Sequence, residues 1–178
     1  IKCWVSRCLR CDKRKPLQNV ALKKPTVQSS TSSPPFLSSK AVDGYKNGNI
    51  RGAGFSHTKE ETNPWWRVDL LAVYKVNAVT IINRQDCCSE RILGVEIRIG
   101  DSLDQSGNQN PRCGIIESLD GTPTYTFHCN EMEGRYINVF MPAPLRVLTL
   151  CEVEVFASLP GIAVLSSGIC GSCLFLFV

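Results

Sequence analysis

From Asn19 onward, short runs of alternating apolar and polar residues are separated by clusters of Gly, Pro, Asn and Ser. WWRVDL (65–70), KVNAVTIIN (75–83), GVEIRIG (94–100), RYINVFM (135–141) and LTLCEVEVF (148–156) all have strand composition. A period of two predicts that Val95, Ile97 and Ile99 face a core while Glu96 and Arg98 face water. Val153 and Val155 alternate with Glu152 and Glu154 in the same way. DGYKNGN (43–49), DQSGNQNP (104–111) and DGTP (120–123) read as turns. No stretch keeps a period near 3.6, so the pattern predicts an all-β fold, an antiparallel β-sandwich or jelly roll.

The pattern stops at both ends, which divides the chain into a basic arm (1–17), one β domain (18–157) and an apolar tail (158–178). The arm begins at Ile1 and lacks the charged-then-apolar order of a signal peptide, so the start of the precursor is expected upstream. Residues 162–178 are uncharged, but seventeen helical residues fall short of a bilayer core of roughly 30 Å, and no membrane role is expected.

Charge and cysteine content refine this. The net charge of +4 over 178 residues separates into eight basic residues against one acid in 1–24, and twelve against fifteen in the rest. The body is mildly acidic, which argues against nucleic-acid binding. Ten cysteines point to an oxidising, extracellular setting, and only two histidines, His57 and His128, exclude a zinc site built from several imidazoles. The CxxC spacings at 8–11 and 170–173 have no zinc-ribbon or thioredoxin context.

The chemistry concentrates in NRQDCCSERI (83–92). If Cys87 and Cys88 bond to each other they form a small stiff ring; the alternative is that each bonds elsewhere. Closing a loop with no intervening residue stabilises a fold very little, so such a ring suits a site better than a staple. Arg84 and Arg91 are permanent cationic donors, and Asp86 and Glu90 lie close enough in sequence to hold them. Fixed donors beside a flat patch suit a neutral polyhydroxy ligand.

Read with His57, this stretch resembles the signature of the F-type lectins: a His, twenty-six residues, Arg, any residue, Asp, four residues, and Arg or Lys. Here His57 precedes residues 58–83, then come Arg84, Gln85, Asp86, residues 87–90 and Arg91. The vicinal cysteines stand where that family has them, and WWRVDL is shared with the wider discoidin-like group. The resemblance covers about residues 18–157. It implies that His57, Arg84 and Arg91 bind the ring oxygen, O3 and O4 of α-L-fucose, that the Cys87–Cys88 ring packs on the C1–C2 edge, that an apolar pocket takes the C6 methyl, and that Asp86 orients its neighbours. An axial O4 would be selected because a displaced hydroxyl leaves buried donors unpaired.

The same resemblance implies a structural calcium held by Asp43 and Glu152 side chains and by backbone oxygens of Lys40, Tyr45, Gly54 and Cys151, the hard oxygen set that calcium takes. Lys40 and Gly54 depart from the family's Asn and Ser. It also implies a Cys113–Cys129 disulfide. Where the family has a cysteine partnering Cys151, this chain has Phe55, so Cys151, Cys3, Cys8, Cys11, Cys170 and Cys173 are left unassigned.

The resulting expectation is a secreted, non-catalytic, calcium-supported lectin for terminal fucose, acting in innate recognition and assembling into trimers or other oligomers. Loops 28–36 and 45–55 would carry linkage preference. A discoidin-like adhesion domain for phospholipid or acidic polysaccharide is the alternative. A fucosidase would need two carboxylates across the glycosidic bond, and Asp86 and Glu90 read better as partners of arginine.

Overall fold

The computed structural model describes residues 17–47 and 54–160. Most of the arm, residues 48–53 and the tail beyond 160 lie outside the described residues, and with them Cys3, Cys8, Cys11, Cys170 and Cys173. The strands are β1 (Gln18–Asn19), β2 (Thr26–Gln28), β3 (Ser56–His57), β4 (Trp65–Ile82), β5 (Glu96–Gly100), β6 (Arg112–Ile115), β7 (Thr124–Phe140), β8 (Thr149–Leu150) and β9 (Glu152–Ser158). They pair antiparallel in the order β1-β9-β4-β7-β5-β6, with β2 also on β4 and a separate β3-β8 pair. Among the described residues the helical segments are short 3-10 turns, and no helix is long and apolar enough to cross a membrane. The fold is the expected all-β sandwich.

WWRVDL and KVNAVTIIN are two halves of one strand, and RYINVFM is the second half of β7. The pairing of β4 with β7 shifts register between Asp69 and Tyr74, where Leu71 takes a φ of 68°, so the ladder bends without breaking. The first half of β4 pairs with β2 and the end of β7, which in turn carries β5; the second half pairs with β9 and the start of β7. One strand pair thus serves both layers. A second irregularity lies opposite β9, where Val76 faces Ala157 and Ala78 faces Phe156, leaving Asn77 as an extra residue. Trp66, Val68, Leu70 and Val76 are buried before it, Val79 and Ile81 after it, so the buried positions change parity there.

These residues share one core with Ile97, Ile99, Ile137, Val139, Val153 and Val155. Each large apolar side chain so buried contributes about 1.5–3 kcal/mol. The Cys113–Cys129 disulfide, with Cα atoms 5.1 Å apart, ties β6 to β7 across 16 positions of sequence. Replacing both cysteines by alanine is expected to lower stability by about 3 kcal/mol, the chain-entropy value for a loop of this length, read as a lower urea midpoint with an m-value that rises as the unfolded chain expands.

The expectation that Glu96, Glu152 and Glu154 face water is corrected: they are 5%, 0% and 8% exposed. Both faces of these strands are covered. Segment 101–111 folds back over β5 and β7, where Arg67 and Asn138 donate to the Ser106 carbonyl at 2.6 and 2.8 Å and Arg98 donates to that of Asn110 at 3.1 Å. The return passes so close that a Cβ on Gly100 would lie 2.5 Å from the Asn110 side chain. Beneath it Glu96 is neutralised by Arg98 and Arg112, each at 2.8 Å. Glu154 pairs with Lys46 at 2.7 Å.

Candidate functional site

His57 sits on β3, which is pinned on both sides. Its partner strand β8 sets Ser56 against Leu150 and His57 against Thr149, while the His57 amide donates to Phe36 at 3.3 Å and its carbonyl accepts from Ser32 at 3.0 Å. The imidazole Nδ1 lies 2.6 Å from the Thr58 carbonyl, which can only accept, so Nδ1 carries the proton. That tautomer leaves Nε2 as an acceptor. Burial lowers the imidazole pKa from its ordinary value, the Thr58 contact opposes this, and the charges of Arg91 and Arg84 lower it further. Arg84 and Arg91 are therefore both within electrostatic reach of His57, and burial and their charges favour its neutral form.

Segment 83–92 is anchored by a residue that sequence reasoning passed over. Asn83, 1% exposed, accepts from the Arg84 amide at 2.8 Å and donates through Nδ2 to the Ser89 carbonyl at 2.9 Å, closing the loop on itself. Its own amide donates to Pro123. Within the loop Cys87 and Cys88 bond to each other, Cα to Cα 3.8 Å, with Cys88 left-handed at φ 60°. Arg84 grips Asp86 as a fork, Nε to Oδ1 at 2.6 Å and Nη2 to Oδ2 at 2.9 Å, which holds the Asp86 carboxyl below the usual range. Two of the five guanidinium N–H groups are thereby used, and three remain for a ligand. Glu90 does not play the matching part: among the described residues Arg91 makes no side-chain hydrogen bond or ion pair, so its guanidinium is uncommitted. Both residues lie in the 3-10 turn Ser89–Ile92, in which the Glu90 carbonyl accepts from the Leu93 amide at 3.1 Å.

Below these donors lie Phe36 and Phe55, ring centroids 4.8 Å apart, with the guanidinium carbon of Arg84 4.6 Å from the Phe55 ring centre. Phe55 packs with Ile82 and Cys151, and Cys151 is a buried free thiol whose pKa burial pushes up to about 11. Among the described residues Cys151 has no disulfide partner, and the ring of Phe55 packs where the resemblance puts a cysteine.

The other predicted constellation gathers where the turn after the 3-10 segment Ser38–Val42 meets β9. The Gly44 amide donates to Glu152 Oε1 at 3.1 Å and the Tyr45 amide to Asp43 Oδ1 at 2.9 Å. Glu152 is wholly buried and its Oε2 has no partner. Burial raises its pKa to about 7, and the carboxylates of Asp43 and Glu154 add to the rise. A buried oxygen without a donor beside a second carboxylate is an arrangement that a hard cation would satisfy. Lys40 Nζ stands 3.9 Å from Asp43. Among the described residues no three His, Cys, Asp or Glu side chains converge on a metal, so any ion here would rest chiefly on carbonyl oxygens.

Fucolectin-1 of Anguilla japonica is 46% identical to this chain over 148 residues, 80% of this chain and 83% of that protein. The chain belongs to the F-type lectins. Residues 40–139 match the model of the NedA-like, galactose-binding domain. A fucolectin from striped bass (Morone saxatilis) serum superposes with a TM-score of 0.75 at 45% identity, over 79% of this chain and 49% of that one, so this F-type lectin spans about half the length of the bass protein. The lectin domain of lectinolysin, solved with the Lewis B antigen, gives 0.72 at 29% identity, over 79% and 97% of the two chains. As an F-type lectin the protein binds carbohydrate and is not an enzyme.

Proposed function

We propose that this lectin binds terminal α-L-fucose on glycans through His57, Arg84 and Arg91, with the Cys87–Cys88 ring as the surface on which the sugar packs. The observation that carries the reading is the polarity of the site. A neutral imidazole offers one acceptor at Nε2, and two guanidiniums offer only donors, so a hydroxyl can give its proton to His57 while its lone pairs accept from arginine. Asp86 orients Arg84. Calorimetric titration with L-fucose beside D-galactose tests this; no heat with fucose from folded protein refutes it, and salt-sensitive binding to acidic vesicles without a fucose response would favour the adhesion reading.

A calcium ion at Asp43 and Glu152, with carbonyls of Lys40, Tyr45, Gly54 and Cys151, is part of the proposal. It would supply positive charge to two neighbouring carboxylates and fasten the 40–45 turn to β9. The two disulfides among the described residues support a secreted protein. One monosaccharide presents few atoms, so useful avidity calls for several sites, which supports an oligomer; a role in innate recognition follows from surface glycans as ligands.

The state of His57 gives a pH dependence. Protonation converts Nε2 from acceptor to donor, and the lowered pKa delays that conversion. Fucose affinity is therefore expected to stay level through neutral and mildly alkaline pH and to fall only in acid below the ordinary imidazole range. The stability that depends on a neutral His57 is complete above the unfolded imidazole pKa and falls as pH drops through it, because the unfolded chain binds the proton more readily. Calorimetry across a pH series checks the first, and urea midpoints the second.

A further inference from the structure

Phe55 lies two residues before His57, next to Ser56, and Ser56 faces Leu150 in the β3-β8 ladder, so Phe55 comes opposite Cys151. Its ring is 3% exposed and is held from below by Cys151 and Ile82 and from the side by Phe36. Above it sits the Arg84 guanidinium, 4.6 Å from the ring centre. The His57 imidazole is 5.4 Å from the Phe36 ring and 5.9 Å from that of Phe55. Two polar groups of the site, the Arg84 donor and the His57 acceptor, from segments far apart in sequence, therefore rest on one aromatic floor. The Asp86 fork fixes Arg84 along one edge only, and a guanidinium held by one edge can still swing about that edge. Contact with an aromatic face removes the swing, because the ring's negative face attracts the cation and its bulk blocks one side.

We propose that Phe55 is a positioning residue of the sugar site: its ring face sets the plane of Arg84 and, with Phe36, the tilt of His57, so that the N–H groups not used by Asp86 are aimed before the ligand arrives. The consequence for affinity rests on the fucose reading above; the effect on Arg84 does not. This assigns to a buried apolar side chain a part in recognition that the His, Arg and Asp positions alone do not disclose.

The test replaces Phe55 by Leu and, through genetic incorporation, by 4-fluoro-, 3,5-difluoro- and 3,4,5-trifluorophenylalanine, which keep the ring's shape while draining charge from its face. In sugar-free protein the Arg84 Nε–H resonance, assigned with Arg84→Lys, is expected upfield from ring current and to move downfield with faster solvent exchange in Phe55→Leu. Fucose affinity by calorimetry is expected to fall stepwise with fluorine number, about tenfold in all on the scale of partly desolvated cation–π pairs, while the melting temperature does not fall. An Arg84 resonance unchanged in Phe55→Leu overturns the proposal. So does an affinity that is flat across the fluorinated series, a series that also serves if Phe55→Leu does not fold. Wild-type protein that gives no heat with fucose refutes the functional reading instead, and the Arg84 resonance then decides the positioning role by itself.

Discussion

Arg84→Ala is expected to abolish retention on immobilised fucose and to weaken L-fucose binding at least about a hundredfold. Hydrogen bonds to charged groups contribute about 1.5–3 kcal/mol each, and a sugar that engages two of the three N–H groups left over from Asp86 would lose about 3–6 kcal/mol with the guanidinium. The substitution also leaves the Asp86 carboxylate, 26% exposed, facing the ligand without its cation. Folding is expected to suffer little: the loop is closed by the Asn83 side chain through backbone groups of Arg84 and Ser89 that the substitution leaves in place. Arg84→Lys separates charge from shape. A lysine keeps the positive charge but cannot form the Asp86 fork and present fixed donors at once, so a loss of about tenfold or more is expected. Column retention, calorimetry and thermal unfolding on the three proteins distinguish the outcomes; unchanged binding in Arg84→Ala would remove Arg84 from the site, and a collapsed melting temperature would make it structural.

Calcium saturation is expected to raise the melting temperature by about 10 °C over protein in chelator, and Glu152→Gln is expected to erase most of that difference. At a thousandfold excess over Kd a ligand that binds only the folded state adds about 4 kcal/mol, and a domain of this size shifts by roughly 2–4 °C per kcal/mol. Glutamine keeps the volume and the acceptor that takes the Gly44 amide while removing the charge. In chelator the variant should melt no lower than wild type, because the buried carboxylate there lies among Asp43 and Glu154 with an oxygen unpartnered. Scanning calorimetry with calcium, magnesium and chelator checks this. A wild-type melting temperature indifferent to calcium would leave Glu152 as a buried acid that the fold tolerates.

β4, β5, the second half of β7 and the run that holds β8 and β9 were legible in the sequence, as were the turn clusters between them, whereas the first half of β7 was not. β1, β2, β3 and β6 were not, since two to four residues scarcely display a period. The exposure of Glu96 and Glu152 was misread because alternation says which residues share a face and says nothing of what lies on it; a returning loop and a turn cover those faces. In the site, spacing brought His57, Arg84 and Arg91 to attention, and the vicinal cysteines stood out by adjacency. Asn83 was invisible because an asparagine at the end of a strand looks like any turn residue, and its task is to bond backbone. Phe55 was noticed only as a missing cysteine. Its contact with Arg84 depends on a pairing between β3 and β8 that no local pattern announces.

The extra residue at Asn77 reaches further than the core it interrupts. Six positions downstream, with no further offset along β9 as far as Ile82, stands Asn83, buried and bonded to the backbone of the loop it opens. Asn77 therefore acts as a phase setting for the loop that follows. A one-residue deletion there would turn the Asn83 amide toward the opposite side of the strand and release the segment bearing Arg84 and the two cysteines, although every residue of the proposed sugar-binding set was still present. In this lectin the count of residues between the bend of β4 and its end is as much a determinant of recognition as their identity.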